Sequence, residues 1–110
     1  MTRFSAVLDL IEEVLDDDVR IADLASMTGL SVSRFAHAFK AAHGVAPYRY
    51  ILERRIERAM VLLRTGNETV AMTAAQVGFS SESHFGQMFA RTVGTTPSAY
   101  RSAGANAWQL

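Results

Sequence analysis

An all-α chain of about seven helices, arranged as two helix-turn-helix modules joined by one long helix, is what this sequence predicts. Three observations predict it. Residues 21–50 (IADLASMTGLSVSRFAHAFKAAHGVAPYRY) and 70–100 (VAMTAAQVGFSSESHFGQMFARTVGTTPSAY) align at a nearly constant offset, which marks an internal repeat. Ile21 pairs with Val70, Ala25 with Ala74, Gly29 with Gly78 and Leu30 with Phe79. After one extra residue Phe35 pairs with Phe85, Phe39 with Phe89, Gly44 with Gly94, Pro47 with Pro97 and Tyr50 with Tyr100. Between the copies lies PYRYILERRIERAMVLLRTG, residues 47–66, with Pro where a first helical turn tolerates a missing N–H and no further Pro or Gly until the last position. Finally, the chain has only two Pro and no alternating Val, Ile or Thr clusters, which argues against a sheet. The expected organisation is residues 1–46, a linker helix 47–66, a second module 67–103 and a tail 104–110.

The first helix follows from the stripe Phe4, Val7, Leu8, Ile11 and Leu15, with Ser5 available as its cap. Asp16, Asp17 and Asp18 end that pattern. Three adjacent carboxylates point in different directions, so a solvated turn in which Asp18 caps the next helix is favoured over a metal site. Residues 20–28 make the first helix of the motif, with Ile21, Leu24 and Ala25 inward. Gly29 supplies the left-handed turn, Leu30 plugs the corner and Ser31 caps residues 32–43. On that second helix Phe35, Ala38, Phe39 and Ala42 line the core face. Ser33, Ala36, His37 and Lys40 occupy the opposite face, with Arg34 between the two, able to reach a phosphate or an acid of the preceding helix.

In the linker, Leu52, Ile56, Ala59 and Leu63 form one apolar stripe widened by Ile51, Met60 and Leu62, while Arg54, Arg55 and Arg58 lie off its centre. Gly66 is placed to let the helix exit through a left-handed residue. Such a helix spans roughly 28 Å at about 1.5 Å per residue. In the second module Val70, Thr73, Ala74 and Val77 point inward, Gly78 and Phe79 make the turn, Ser80 or Ser81 caps, and Phe85, Met88, Phe89 and Val93 are core by spacing. Glu82, Ser83, Gly86 and Gln87 face outward. Thr96 and Pro97 start a short final helix in which Tyr100 packs. Beyond Ala103 the segment GANAWQL has no periodicity and reads as a frayed tail, the alternative being that Trp108 covers a residual apolar patch.

Composition bounds the function. With 110 residues and 49% hydrophobic content there is room for one or two small cores and little for a catalytic domain. There is no Cys, which removes disulfide frameworks, Cys-based zinc fingers and thiol nucleophiles and makes a reducing cytoplasm the natural compartment. No long apolar run or signal segment points to a membrane. No nucleophile sits in a strained turn, no Gly-rich phosphate loop occurs, and His37 and His43 have no carboxylate at ligand spacing. Catalysis, cofactors and metals are therefore not expected. The formal net charge is zero, yet residues 1–33 hold seven acids and two bases, whereas residues 34–110 hold four acids and nine bases. The basic part contains both outward faces just described. Short and polar side chains there suit base edges in a major groove: Gln87 fits a bidentate contact with adenine, and Glu82 can either accept from a cytosine amino group or favour the positive helix N-terminus. Gly86 costs its helix about 1 kcal/mol relative to Ala, for which close approach of DNA or another helix is a motive.

Over residues 5–103 the chain resembles the DNA-binding domain of the AraC/XylS family of bacterial transcriptional regulators. The resemblance is most specific in GFSSESHFGQMFARTVGTTPSAYR, residues 78–101, and extends to the linker run ERRIERAMVLLRTG. It implies a sequence-specific regulator that places two recognition helices in successive major-groove faces of one double-stranded DNA, with Arg101 on a phosphate. It also implies attachment to a ligand-sensing or dimerisation domain. Two residues depart from the family pattern. Ala90 stands where a Lys is usual, removing a phosphate contact unless Arg91 substitutes, and Thr73 replaces a large aliphatic residue, which predicts a looser second core. The alternative function is a helical interaction module with weak DNA binding that touches RNA polymerase or another regulator. Zero net charge and the small Ala36, Gly86 and Ala90 favour that alternative.

Overall fold

The computed structural model describes the backbone of residues 4–108 and the side chains of residues 4–103. Seven helices and no strand occur among the described residues: α1 (Ser5–Glu13), α2 (Ile21–Thr28), α3 (Val32–His43), α4 (Pro47–Thr65), α5 (Val70–Gln76), α6 (Glu82–Val93) and α7 (Pro97–Trp108). Two compact units result, and the division between them falls inside α4, between Leu52 and Glu53.

The first unit is built on aromatic burial. Phe4, Val7, Ile11 and Leu15 close over Leu24 and Ala25 of α2, Phe35 and Phe39 of α3 and Ile51 of α4. Fully burying one such side chain is worth about 1.5–3 kcal/mol, and the Phe rings bury the most area of the set. The Phe4 ring stands edge-on to Phe35 at 5.6 Å and lies 5.7 Å from Phe39. Because that ring is drawn into the core, α1 begins directly behind it: Phe4, not Ser5, is the N-cap residue, and no side chain caps this helix. Asp18 does not cap α2 either. Arg20 takes the extended N-cap conformation without a side-chain bond, and negative charge reaches this N-terminus from Asp23 in the first turn instead. Ala42 is exposed, and the ring stacked on Phe39 is that of His43, one helical turn on, at 4.6 Å. Residues four apart share a helix face, and three apart from Phe39 falls at its edge.

In the second unit Ile56, Ala59 and Leu63 of α4 are buried, as are Ala74, Val77, Phe79, Phe85, Met88 and Phe89, whose rings at 79, 85 and 89 adjoin in series. Thr73 is buried with them at 1% exposure, and its hydroxyl donates to the Thr69 carbonyl oxygen at 3.1 Å, so the polar atom is satisfied inside its own helix. Arg55 is buried rather than peripheral, at 8% exposure. A long aliphatic stem lets an arginine cover apolar surface in this way.

Two helix ends differ from expectation. Gly66 does not adopt a left-handed conformation; the left-handed glycines are Gly29, Gly44, Gly78 and Gly94. Its need is steric, because a Cβ there would lie 2.8 Å from the Leu62 carbonyl oxygen, the same oxygen that accepts the Gly66 N–H. The last helix runs on to Trp108, where a frayed tail was expected from residue 104. The Trp108 side chain, and residues 109 and 110, lie outside the described residues.

Candidate nucleic-acid interface

Each unit presents one helix whose inner face is aromatic and whose outer face is short and polar. In the first unit Ser31 caps α3 by accepting the Arg34 backbone N–H at 3.2 Å, which fixes the helix start. Phe35 and Phe39 are wholly buried, and the resulting rotation leaves Ser33, Arg34, His37 and Lys40 exposed and Ala36 half-buried. The His37 ring folds along the helix, with Nδ1 2.8 Å from the Ser33 carbonyl oxygen. Leu30, Arg34, His37 and Ala38 line a shallow depression beside it.

The second unit repeats the device. Ser81, not Ser80, caps α6, accepting the His84 backbone N–H at 3.0 Å. Burial of Phe85, Met88 and Phe89 turns Glu82, Ser83, Gln87 and Arg91 outward, with Gly86 half-buried. The repeat places Ser33 with Ser83, Ala36 with Gly86, His37 with Gln87 and Lys40 with Ala90. Neither Ala36 nor Gly86 raises a bulky side chain, so each outer face is shallow at its middle. A Cβ at Gly86 would meet no atom within 4 Å, so internal crowding is not why this position lacks one.

A family model described as a helix-turn-helix domain matches residues 24–103. A putative AraC-like transcription regulator of Streptomyces lividans is 43% identical over 81 residues, covering 74% of this chain and 27% of that protein. A probable transcriptional regulator, LumQ of Photobacterium leiognathi, is 34% identical over 91 residues, covering 83% of this chain and 37% of its own. Among solved structures, the DNA-binding domain of the global transcriptional factor AdpA in complex with a target DNA superposes with a TM-score of 0.86 at 28% identity, over 94% of this chain and 93% of that one. This chain belongs to the AraC/XylS family. It spans about a third of the length of these curated relatives.

One predicted contact residue of this AraC/XylS domain is placed differently from the rest. Arg101 is turned inward on α7: its Nε donates to the Leu63 carbonyl oxygen at 3.4 Å and its Nη2 is buried. Leu63 lies in the last turn of α4, where carbonyls lack helical partners and the dipole favours a cation, so this bond of Arg101 tethers that helix end. The neighbouring Arg64 donates to the Tyr100 hydroxyl at 3.0 Å, tying the same two helices. Conversely, Arg49 was not singled out by its sequence position, yet it lines a depression with Lys40, Gly44, Val45 and Ala46. The available signal was a base one turn after the Gly that ends α3, beside the last turn carrying Lys40. No helix among the described residues is long and apolar enough to cross a membrane.

Proposed function

We propose that this chain is the sequence-specific DNA-binding part of a bacterial transcription regulator, with α3 and α6 each entering the major groove at subsites about one turn, roughly 34 Å, apart on a single duplex. The observation that carries the reading is the pairing of a buried aromatic inner face with an exposed outer face on both recognition helices. Ser33, Ala36, His37, Glu82, Ser83, Gly86 and Gln87 face base edges, while Arg34, Lys40 and Arg91 neutralise phosphates. Family membership and the DNA complex of AdpA support it. The chemistry asked of these residues is recognition, with no bond made or broken. The cytoplasm is the matching compartment. The greater length of the curated relatives supports a further ligand-sensing or dimerisation domain, and RNA polymerase is the partner through which such a regulator acts.

A second reading, an interaction module with weak DNA binding, draws on Val61 and Met72, about half exposed at 48% and 52%. Anisotropy titrations on its promoter at several salt concentrations separate the two. Specific binding should weaken steeply with salt, log affinity falling with log salt by about 0.9 for each phosphate neutralised. The absence of any salt-sensitive specific complex would refute the DNA reading and leave the interaction module.

A further inference from the structure

The geometry of His37 points to the base it selects, and we infer that His37 reads its base pair as a hydrogen-bond acceptor, selecting adenine or cytosine. The inference rests on the DNA-binding reading above. Nδ1 lies 2.8 Å from the Ser33 carbonyl oxygen. A carbonyl oxygen only accepts, so the shared proton sits on Nδ1, and in a neutral imidazole the other nitrogen, Nε2, is then bare. The bond to Ser33 does two things at once: it fixes the tautomer and it occupies Nδ1, so that Nε2 is the ring nitrogen of this exposed residue left to meet a base.

The major groove offers few partners to an acceptor. The amino groups at N6 of adenine and N4 of cytosine donate, whereas guanine presents N7 and O6 and thymine presents O4, all acceptors. Placed against guanine or thymine, the bare Nε2 faces another lone pair. The equivalent residue of the second unit, Gln87, has a carbonyl and an amide and can satisfy an adenine on both its groups. The repeat thus puts a one-way reader in the first unit and a two-way reader in the second.

Binding sites selected from random duplexes at mildly alkaline pH test this. Wild type, His37→Lys, which can only donate, and Gln87→Ala are compared. His37→Lys should change the preference at one base pair only, and the wild type should depend on the single major-groove amino group of that pair, adenine N6 or cytosine N4. On a wild-type site with adenine there, replacing it by purine, which lacks the 6-amino group, should weaken binding about fivefold, as for one neutral hydrogen bond; a cytosine would be replaced by an analogue lacking the 4-amino group, with the same expectation. Since His37 is exposed, circular dichroism of His37→Lys should match wild type. Unchanged wild-type affinity after removal of the amino group from the base pair that His37→Lys alters would overturn the inference. So would a site that shifts with Gln87→Ala but not with His37→Lys, which leaves DNA binding intact. If the wild type enriched no sequence, the DNA-binding reading itself would fall, and this one with it.

Discussion

The two units reach the same helix-turn-helix by different routes, most visibly at the turn. In the second, the Phe79 N–H bonds directly to the Ala74 carbonyl at 3.0 Å and the Gly78 N–H to Ala75 at 3.1 Å, the paired bonds of a Schellman close. In the first, the Thr28 hydroxyl stands between the equivalent groups, donating to the Ala25 carbonyl at 2.7 Å and accepting the Leu30 N–H at 3.3 Å. Aromatic support differs in the same sense. Phe85 has its edge-on partner, Phe79, in the adjacent turn at 5.3 Å, whereas the turn residue of the first unit is Leu30 and Phe35 takes its partner, Phe4, from α1 at 5.6 Å. Side-chain caps follow suit. Thr69 caps α5 and the Thr96 hydroxyl accepts the Ala99 N–H, while Arg20 and Ala46, at the matching helix starts, make no such bond. The second unit is held locally, the first by contacts distant in sequence. Local contacts require less loop closure before they form, so the second unit should be the faster to nucleate.

The largest test removes the shared feature. Phe39→Ala and Phe89→Ala, both wholly buried, should each cost about 3–5 kcal/mol and unfold their own unit, read as a lost or split transition in circular dichroism melts. Melts matching wild type would show that the aromatic cores are not what holds the units. Exchanging the turn residues sharpens the contrast. Val77→Thr puts a hydroxyl at a wholly buried position whose neighbouring backbone groups already pair, at an expected cost of about 1–3 kcal/mol. Thr28→Val, half-buried, should cost only about 1 kcal/mol because the Leu30 N–H can move toward the Ala25 carbonyl. Denaturant titrations of both variants decide it, and equal losses would erase the distinction.

Gly86→Ala divides stability from binding. With no atom within 4 Å of the added Cβ, the helix should gain about 1 kcal/mol, and if the proposed interface holds, DNA affinity should drop because the methyl would meet the groove floor. A variant both more stable and equally tight would remove Gly86 from the interface. The smallest effect separates two bases. Lys40→Ala should reduce the salt slope of binding by about 1, whereas Arg101→Ala should lower the melting temperature of the second unit and leave the slope unchanged. A slope change from Arg101→Ala would return that residue to the phosphate.

What could be read without coordinates was whatever repeats along a helix. Phe35, Phe39, Phe85 and Phe89 lie four apart and fix the buried face, and the exposed set on each recognition helix follows by rotation. Ser31 was legible as a cap because a cap acts three residues away, whereas two adjacent serines left the second cap open between Ser80 and Ser81 until the helix start was fixed. The misreadings involve interactions without a period. Asp18 has cap chemistry at the wrong distance from Ile21, and Gly66 is required by the space beside one carbonyl rather than by its dihedral angle. Thr73 occupies a core position as its spacing predicts, but its bond to Thr69 is to a backbone oxygen, which no residue type announces.

The boundary within α4 bears on how this fold can be cut and recombined. Ile51, past the first turn of that helix, is 1% exposed in the first core, while Ile56 and Leu63 belong to the second. A gene fragment ending at residue 46, where the repeat and the Pro invite a cut, would delete part of the wall of the first core, and one beginning at residue 47 would start with turns that belong elsewhere. Exchange of either module between members of such a lineage therefore has its natural seam in the middle of a helix, at Leu52–Glu53, where chimaeras should keep both cores whole.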